Sequence, residues 1–381
     1  MKNIIMALAI TLLIPEIANC MRFTLSRDYY QIDENRIVST SVSKDISDLF
    51  FPRNLICADG KAHIVSRVSK SSNFKNLYDQ ANLRYACLPA NVEIISAECF
   101  KGCSNLSILA FESGSHLASI EDDAFICRSI ASICLPASVQ MIGKFCFGGC
   151  STLTSLVFEP DSKLRVIKES AFFGCSSLKS IRIPSSLETL GWWCFERCSS
   201  LSSVMFEPDS RLATMGVGAF SWCSSLASIC IPSSVGTVGK ECFVLCENLS
   251  SVVFEFGLQL AIMGNSTFGG CSSLASICIP SSVEKIAVEC FHGCKGLSSV
   301  TFGPGSKLRT IENYVFSDCP SLESICLPSS VERIGKKCFW HCHSLSSIIF
   351  EPGSQLETIG EDAIPAEAVV NGCNLPIPGR Q

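Results

Sequence analysis

The chain repeats itself at a fixed interval. Phe147, Phe195, Phe243, Phe291 and Phe339 stand 48 residues apart, and so do Phe172, Phe220, Phe268 and Phe316. The two series interleave at steps of 25 and 23, so the period is a pair of shorter units, one carrying a two-residue insertion of the Glu-Pro-Asp-Ser type. Units open at Leu83, Leu106, Ile130, Leu153, Leu178, Leu201, Leu226, Leu249, Leu274, Leu297, Leu322 and Leu345, which makes twelve, with a degenerate thirteenth strand predicted over residues 370–376. A unit this short is one supersecondary element that cannot bury its apolar edge alone. Neighbouring units must therefore stack and supply each other's core.

One unit shows how. Over residues 226–231 the pattern L-A-S-I-C-I puts Ile229 and Ile231 on one side and Ser228 and Cys230 on the other, because strand side chains alternate. Leu226 breaks that parity and is placed in the turn before the strand, folded inward. Pro232 has no N–H for a ladder and closes the strand. Val235, Val238, Cys242, Phe243 and Cys246 then follow a 3-and-4 spacing, which predicts a helical or 3₁₀ return laid against the strand.

The run L-x-x-I-x-I-P-S-S-V-x-x-I-G-x-x-[AC]-F-x-x-C is met over residues 322–342 apart from Leu327, and over 274–294 apart from Ala287. It resembles the BspA-type leucine-rich repeat, and the resemblance covers roughly residues 83–376. Pro and Ser follow the strand where commoner leucine-rich repeats carry Asn. The fold implied is an α/β repeat solenoid, with a parallel β-sheet on one face and short helical or 3₁₀ returns on the other. About twelve coils at the sheet spacing predict a single elongated right-handed body about 60 Å long. For function, the resemblance implies a secreted or cell-surface protein that attaches to host cells and extracellular-matrix proteins.

Composition agrees with a chain of stacked cores. Charged residues make up 17% and apolar ones 47%, against a usual charged share of about 25%. The net charge of −5 is scattered, without a basic stripe, so nucleic acid is not an expected partner. Residues 1–20 read as a secretory signal peptide: Lys2, an apolar run over 4–14, and Ala18-Asn19-Cys20 as a small-residue exit. An ordinary buried strand is the alternative there, and Cys20 raises a lipoprotein reading against which Asn19 argues. Residues 21–82 lack the period and are expected to cap the open end of the core, with a separate small domain as the alternative. Residues 83–369 form the solenoid and 370–381 a C-terminal cap or tail, with Ile364 in place of the repeat Phe.

Twenty-five cysteines invite a disulfide or metal reading, but their positions are repetitive. One column, Cys99, Cys146, Cys194, Cys242, Cys290 and Cys338, precedes the repeat Phe and alternates with Ala, Thr or Val, so the slot wants a small side chain. A second sits three residues after each Phe, from Cys103 to Cys342, with Arg128 as its one break. Coils about 4.8 Å apart are close enough for bridging, yet stacked side chains point in parallel, and buried thiols are the expectation. Zinc held by Cys338, His341, Cys342 and His343 is the sharper idea, weakened because His292 occupies a different slot.

The outward strand positions are where binding is expected. One column is serine: Ser155, Ser180, Ser203, Ser228, Ser251, Ser276 and Ser299, continuing to Ser132 and Ser347 at its ends. Beside it run Val157, Arg182, Met205, Cys230, Val253, Cys278 and Thr301, with Cys134, Cys326 and Ile349 beyond them. Eight of these ten are apolar, more than a solvent-facing sheet usually carries. Duplication of a β-favourable strand is the bland alternative. Glu112, Glu159, Glu207, Glu255 and Glu351 end the longer strands as an acidic rim or a solvated edge.

Catalysis is not expected: the five histidines pair with no repeated Ser or Cys, and there is no Gly-rich phosphate loop or H-E-x-x-H. No cofactor and no metal are expected. The partner is a protein of the host cell or extracellular matrix, and self-association through the same face, as in a structural envelope component, is the alternative. Sequons at Asn105, Asn248 and Asn265 are glycan acceptors only on a eukaryotic secretory route.

Overall fold

Two parallel strands per coil, joined by tight turns, make up the fold. The computed structural model describes residues 83–126, 129–373 and 375, with six short strands between residues 30 and 70. The expected signal segment 1–20, the column break at Arg128 and most of residues 21–82 lie outside the described residues. Where the period predicts one continuous run, the chain divides into two compact units, Met1–Lys163 and Leu164–Gln381. Each coil of a repeat protein touches only its neighbours, so compactness is local.

In the second unit a four-residue strand such as Ser228–Ile231 is followed by a two-residue strand such as Thr237–Val238. Ile229 and Ile231 are buried, Ser228 and Cys230 exposed, and Leu226 is fully enclosed, as the alternation requires. The two-residue strands pair in parallel from Val166–Ile167 through to Thr358–Ile359. The four-residue strands fall into three parallel sheets: Ser180–Ile183 through Ser251–Phe254, Ser276–Ile279 with Ser299–Phe302, and Ser324–Leu327 through Val369–Asn371.

The first unit repeats the plan, with four-residue strands from Tyr85–Leu88 to Ser155–Phe158 and two-residue strands from Ile94–Ile95 to Met141–Ile142. The aperiodic segment joins both ladders. Asp48–Phe50 pairs in parallel with Tyr85–Leu88, and Arg67–Lys70 with Ile94–Ile95, while the antiparallel strand Tyr30–Asp33 ends the second ladder. Strand pairing is a backbone interaction and does not need the repeat signature.

The helical or 3₁₀ return is not formed: no helix occurs among the described residues. The N–H groups of Glu241, Phe243 and Leu245 donate to Asn265, Thr267 and Gly269 of the next coil at 2.7–2.8 Å. Alternating with them, Val244 and Cys246 bond back three residues, to Glu241 and Phe243, in tight turns. Glu241 and Leu245 are left-handed, at φ 59 and 58, and the next coils repeat this four-residue spacing at Ser266 and Gly270, then Glu289 and Gly293. A helix needs consecutive right-handed residues, and alternate donors here already serve the neighbouring coil. The 3-and-4 spacing therefore marks which side chains turn inward at the corners of a coil, not a helix face.

Left-handed backbone costs a non-glycine residue about 1–2 kcal/mol, offset here by the hydrogen bonds between coils. Glu241 is exposed, so Glu241→Gly is expected to hold stability within about 1 kcal/mol of wild type or raise it. Glu241→Val, β-branched at the same φ, is expected to lose about 1–2 kcal/mol. Midpoints of urea unfolding at unchanged slope separate the two.

Phenylalanines fill the interior. From Phe172 to Phe339 in the second unit, neighbouring rings stack at 5.2–5.6 Å with planes within 2–8°. In the first unit, Phe100, Phe125 and Phe147 stack at 5.0 and 5.2 Å. All are fully buried.

Candidate functional site

The outer strand face is set by parity. Ser155 and Val157 lie in the first unit, on Ser155–Phe158. The other twelve residues expected to bind lie in the second, where their side chains stand in register. Ser180 faces Ser203, Ser203 faces Ser228, and Ser228 faces Ser251. In the same rows Arg182 stands beside Met205 and Cys230 beside Val253. Ser276 with Ser299 and Cys278 with Thr301 form a separate pair of strands. Met205 is 44% exposed and Val253 52%, against near-complete burial of the inward positions, so the apolar outer row faces solvent.

One large apolar residue of this edge escaped the reading of the repeat. Phe256 is wholly exposed in the turn after Ser251–Phe254. It stands where other coils carry Pro160, Pro208, Pro304 and Pro352, and that departure from the motif was the available signal.

Most of the repeated polar groups prove to be structural. Glu207, Glu255 and Glu351 each accept the N–H of a residue in the preceding coil, Ser185, Ser233 and Ser329, at 2.9–3.2 Å. These carboxylates staple coils together and form no free acidic rim. The second serine of each Pro-Ser-Ser does the same work: the hydroxyls of Ser186, Ser234, Ser282 and Ser330 donate to Leu164, Leu212, Leu260 and Leu308 of the coil before, at 2.8–3.0 Å.

The cysteines divide by face. In the column after each Phe, the Cys246 thiol donates to the Phe220 carbonyl at 3.2 Å, and Cys271 and Cys294 repeat the contact to Phe243 and Phe268. No described cysteine is in a disulfide. Burial pushes the thiols of Cys242 and Cys294 up to about 12 from 9.0. Their neutral form is favoured in the fold, so this contribution is fully present below pH 9.0 and is lost as pH rises toward about 12.

Cys230, Cys278 and Cys326 are exposed on the outer face. Loss of solvation, then the charge of Glu255, raises the Cys230 thiol; the same cause and Glu351 raise Cys326. Iodoacetamide is expected to modify these three in the native protein, Cys230 and Cys326 more slowly than a free cysteine at pH 8, and the core thiols only in denaturant. Peptide mapping by mass spectrometry reads the outcome.

The zinc idea fails on geometry. His341 Nδ1 is 2.9 Å from the Asp318 carboxylate, Cys342 donates to the Phe316 carbonyl, and Cys338 is enclosed in the core. Among the described residues no cluster of three or more His, Cys, Asp or Glu is placed to hold a metal ion, and no helix is long and apolar enough to cross a membrane.

Comparison with known proteins follows the architecture. The family model described as a BspA type leucine rich repeat region matches residues 72–164, 154–261 and 261–375. A leucine-rich repeat protein of Bacteroides ovatus has a similar structure, with a TM-score of 0.62 at 24% identity, covering 93% of this chain and 93% of its own. The pneumococcal vaccine antigen PcpA matches at a TM-score of 0.55 and 20% identity, over 91% of this chain and 92% of its own. No curated protein matches.

Proposed function

This chain belongs to the BspA-type leucine-rich repeat family, and from that premise we propose a secreted or cell-surface binding protein, non-catalytic, that attaches to a host-cell or extracellular-matrix protein through its outer strand face. The carrying observation is the solvent-facing apolar row Met205, Cys230 and Val253, on strands paired through Ser203 with Ser228 and Cys230 with Val253. The glutamates that end these strands, Glu207 and Glu255, are engaged between coils. An exposed apolar row on a rigid sheet favours a protein ligand, because it offers area without the convergent polar groups that fix a small substrate. Phe256 at the end of the Val253 strand extends the apolar area. A pneumococcal antigen among the structural neighbours supports only the family's fold.

The test compares binding of the purified chain to cultured epithelial cells and immobilised matrix proteins with that of a Met205→Lys, Val253→Lys variant. Both positions are exposed, so the variant is expected to melt like wild type. Binding lost only in the variant supports the sheet face; equal binding by both proteins refutes it. Self-association is the competing use of the same row, and light scattering over a concentration series separates the two. Mass that rises with concentration and falls in the lysine variant favours assembly.

A further inference from the structure

Cys230, Cys278 and Cys326 occupy one slot of the outer strand face, 48 residues apart, one in each of the three sheets of four-residue strands in the second unit. All three are exposed and none is in a disulfide. The two-residue ladder runs unbroken alongside, from Thr237–Val238 to Arg333–Ile334, so each is two coils from the next, about 10 Å at the sheet spacing. A disulfide needs Cα atoms within about 7 Å. These thiols therefore cannot bridge one another within the chain.

Their surroundings are uncharged. Cys230 stands beside Val253, Cys278 beside Thr301 and Cys326 beside Ile349. From Met205 to Ile349 the row carries no charged side chain, so two such rows meet without repulsion although each chain has a net charge of −5. The face is too small to hold a pair of chains by contact alone. Its seven strands, from Ser203–Phe206 to Ser347–Phe350, cover roughly 400 Å² at about 4.8 Å per strand and about 3.3 Å per residue. A stable interface takes about 800 Å² from each partner. A covalent link makes up the difference, and the thiols can supply one.

We propose that this row joins two copies of the chain face to face, through disulfides between their outer cysteines. Three thiols at equal intervals are carried onto themselves by a two-fold axis, as a self-complementary contact requires. With the rows in register, Cys278 meets Cys278 whether the copies run in the same or in opposite directions. Cys278 also lacks the carboxylate that opposes thiolate formation at its neighbours. Loss of solvation, then Glu255, raises the Cys230 thiol, and the same cause and Glu351 raise Cys326; Gly303 stands where a glutamate would end the strand beside Cys278.

The oxidant is a low-molecular-weight disulfide such as oxidised glutathione. The thiolate of one copy displaces glutathione to give a mixed disulfide, and the thiolate of the other attacks the protein sulfur and displaces a second. Two protein thiols give up two protons and two electrons, and one glutathione disulfide becomes two glutathione thiols. The link covers the row proposed above for a host-cell or matrix protein, so only the reduced chain offers that row.

The inference rests on the outer row being an interaction surface, but its readout is a bond and not a binding curve. The reduced full chain is equilibrated in a glutathione buffer at about pH 8, where thiolate is available, quenched with N-ethylmaleimide, and read by non-reducing electrophoresis and peptide mapping. A dimer linked from Cys278 to Cys278 is expected, returned to monomer by dithiothreitol. Cys278→Ser is expected to lose that link, and the Cys230→Ser, Cys278→Ser, Cys326→Ser variant to stay monomeric at unchanged melting temperature. Mixed disulfides with glutathione and no dimer overturn the proposal, and so does a dimer that the triple variant keeps. A linked dimer whose reduced form binds neither cells nor matrix counts against the host-protein reading alone. A reduced chain that binds them and never links counts against the dimer alone.

Discussion

Phe220→Ala is expected to destabilise the protein by about 3–5 kcal/mol, the cost of opening a cavity that its surroundings cannot refill. Phe220 is fully buried, with the rings of Phe195 and Phe243 stacked on it at 5.4 and 5.6 Å. Its carbonyl accepts the N–H of Cys223 and the thiol of Cys246, which hold the backbone in place when the ring is removed. Two rings, Phe195 and Phe243, lose a stacking partner. Val253→Thr is the matched control: half exposed on the outer row, it is expected to stay within about 0.5 kcal/mol. Equal losses in chemical melts would mean that the inward and outward faces are reversed.

Gly216→Val is expected to cost about 3 kcal/mol or more through overpacking. A Cβ at Gly216 would lie 2.5 Å from the carbonyl carbon of Gly191 and 2.6 Å from Trp192 N. Both are backbone atoms of the preceding coil, already tied by the Gly216 N–H to the Leu190 carbonyl at 2.8 Å. The coils have to separate, and separation lengthens the ladder bonds on either side. Gly236→Ala makes the contrast, since the nearest atom to its added Cβ is 4.0 Å away, and no loss beyond about 0.5 kcal/mol is expected. A similar loss at both positions would show that glycine acts here through the unfolded chain and not through the close approach of coils. Ala287 occupies the equivalent slot in another coil and is buried, so one methyl group is accommodated where the local backbone is set for it. The branched side chain of valine is not.

How far the site could be read without coordinates depends on the kind of interaction. Ser228 and Cys230 outside, Ile229 and Ile231 inside, follow from parity alone, and the structure places them so. Phe256 was hidden because a single departure in one turn carries no periodic signal. The place of the Arg197 guanidinium beside the Phe173 and Trp222 rings was hidden because Arg197 and Trp222 share a slot two residues after the repeat Phe, Phe173 stands one residue after it, and no residue type recurs among the three. The serine of Pro-Ser-Ser and the glutamate of Glu-Pro-Asp-Ser were visible as repeated residues, but their partners sit one coil away, about 22 residues back. A repeated polar residue looks the same in a sequence whether it faces water or a carbonyl.

The sequence by itself determined the repeat length, the stacking of coils, the inward Phe and aliphatic columns and the outward serine row. Each of these is a consequence of periodic hydrophobicity, which any stacked chain must satisfy to bury its apolar surface. Only the tertiary structure decided that the return is a ladder of turns. That choice turns on where the N–H groups of Glu241, Phe243 and Leu245 find acceptors. Spacing of 3 and 4 reports which side chains face inward; it does not report whether a backbone donor bonds within its own coil or to the next. When the next coil offers an acceptor at 2.7–2.8 Å, the hydrogen bond between coils wins. The left-handed residues it requires then break any helix before it can begin.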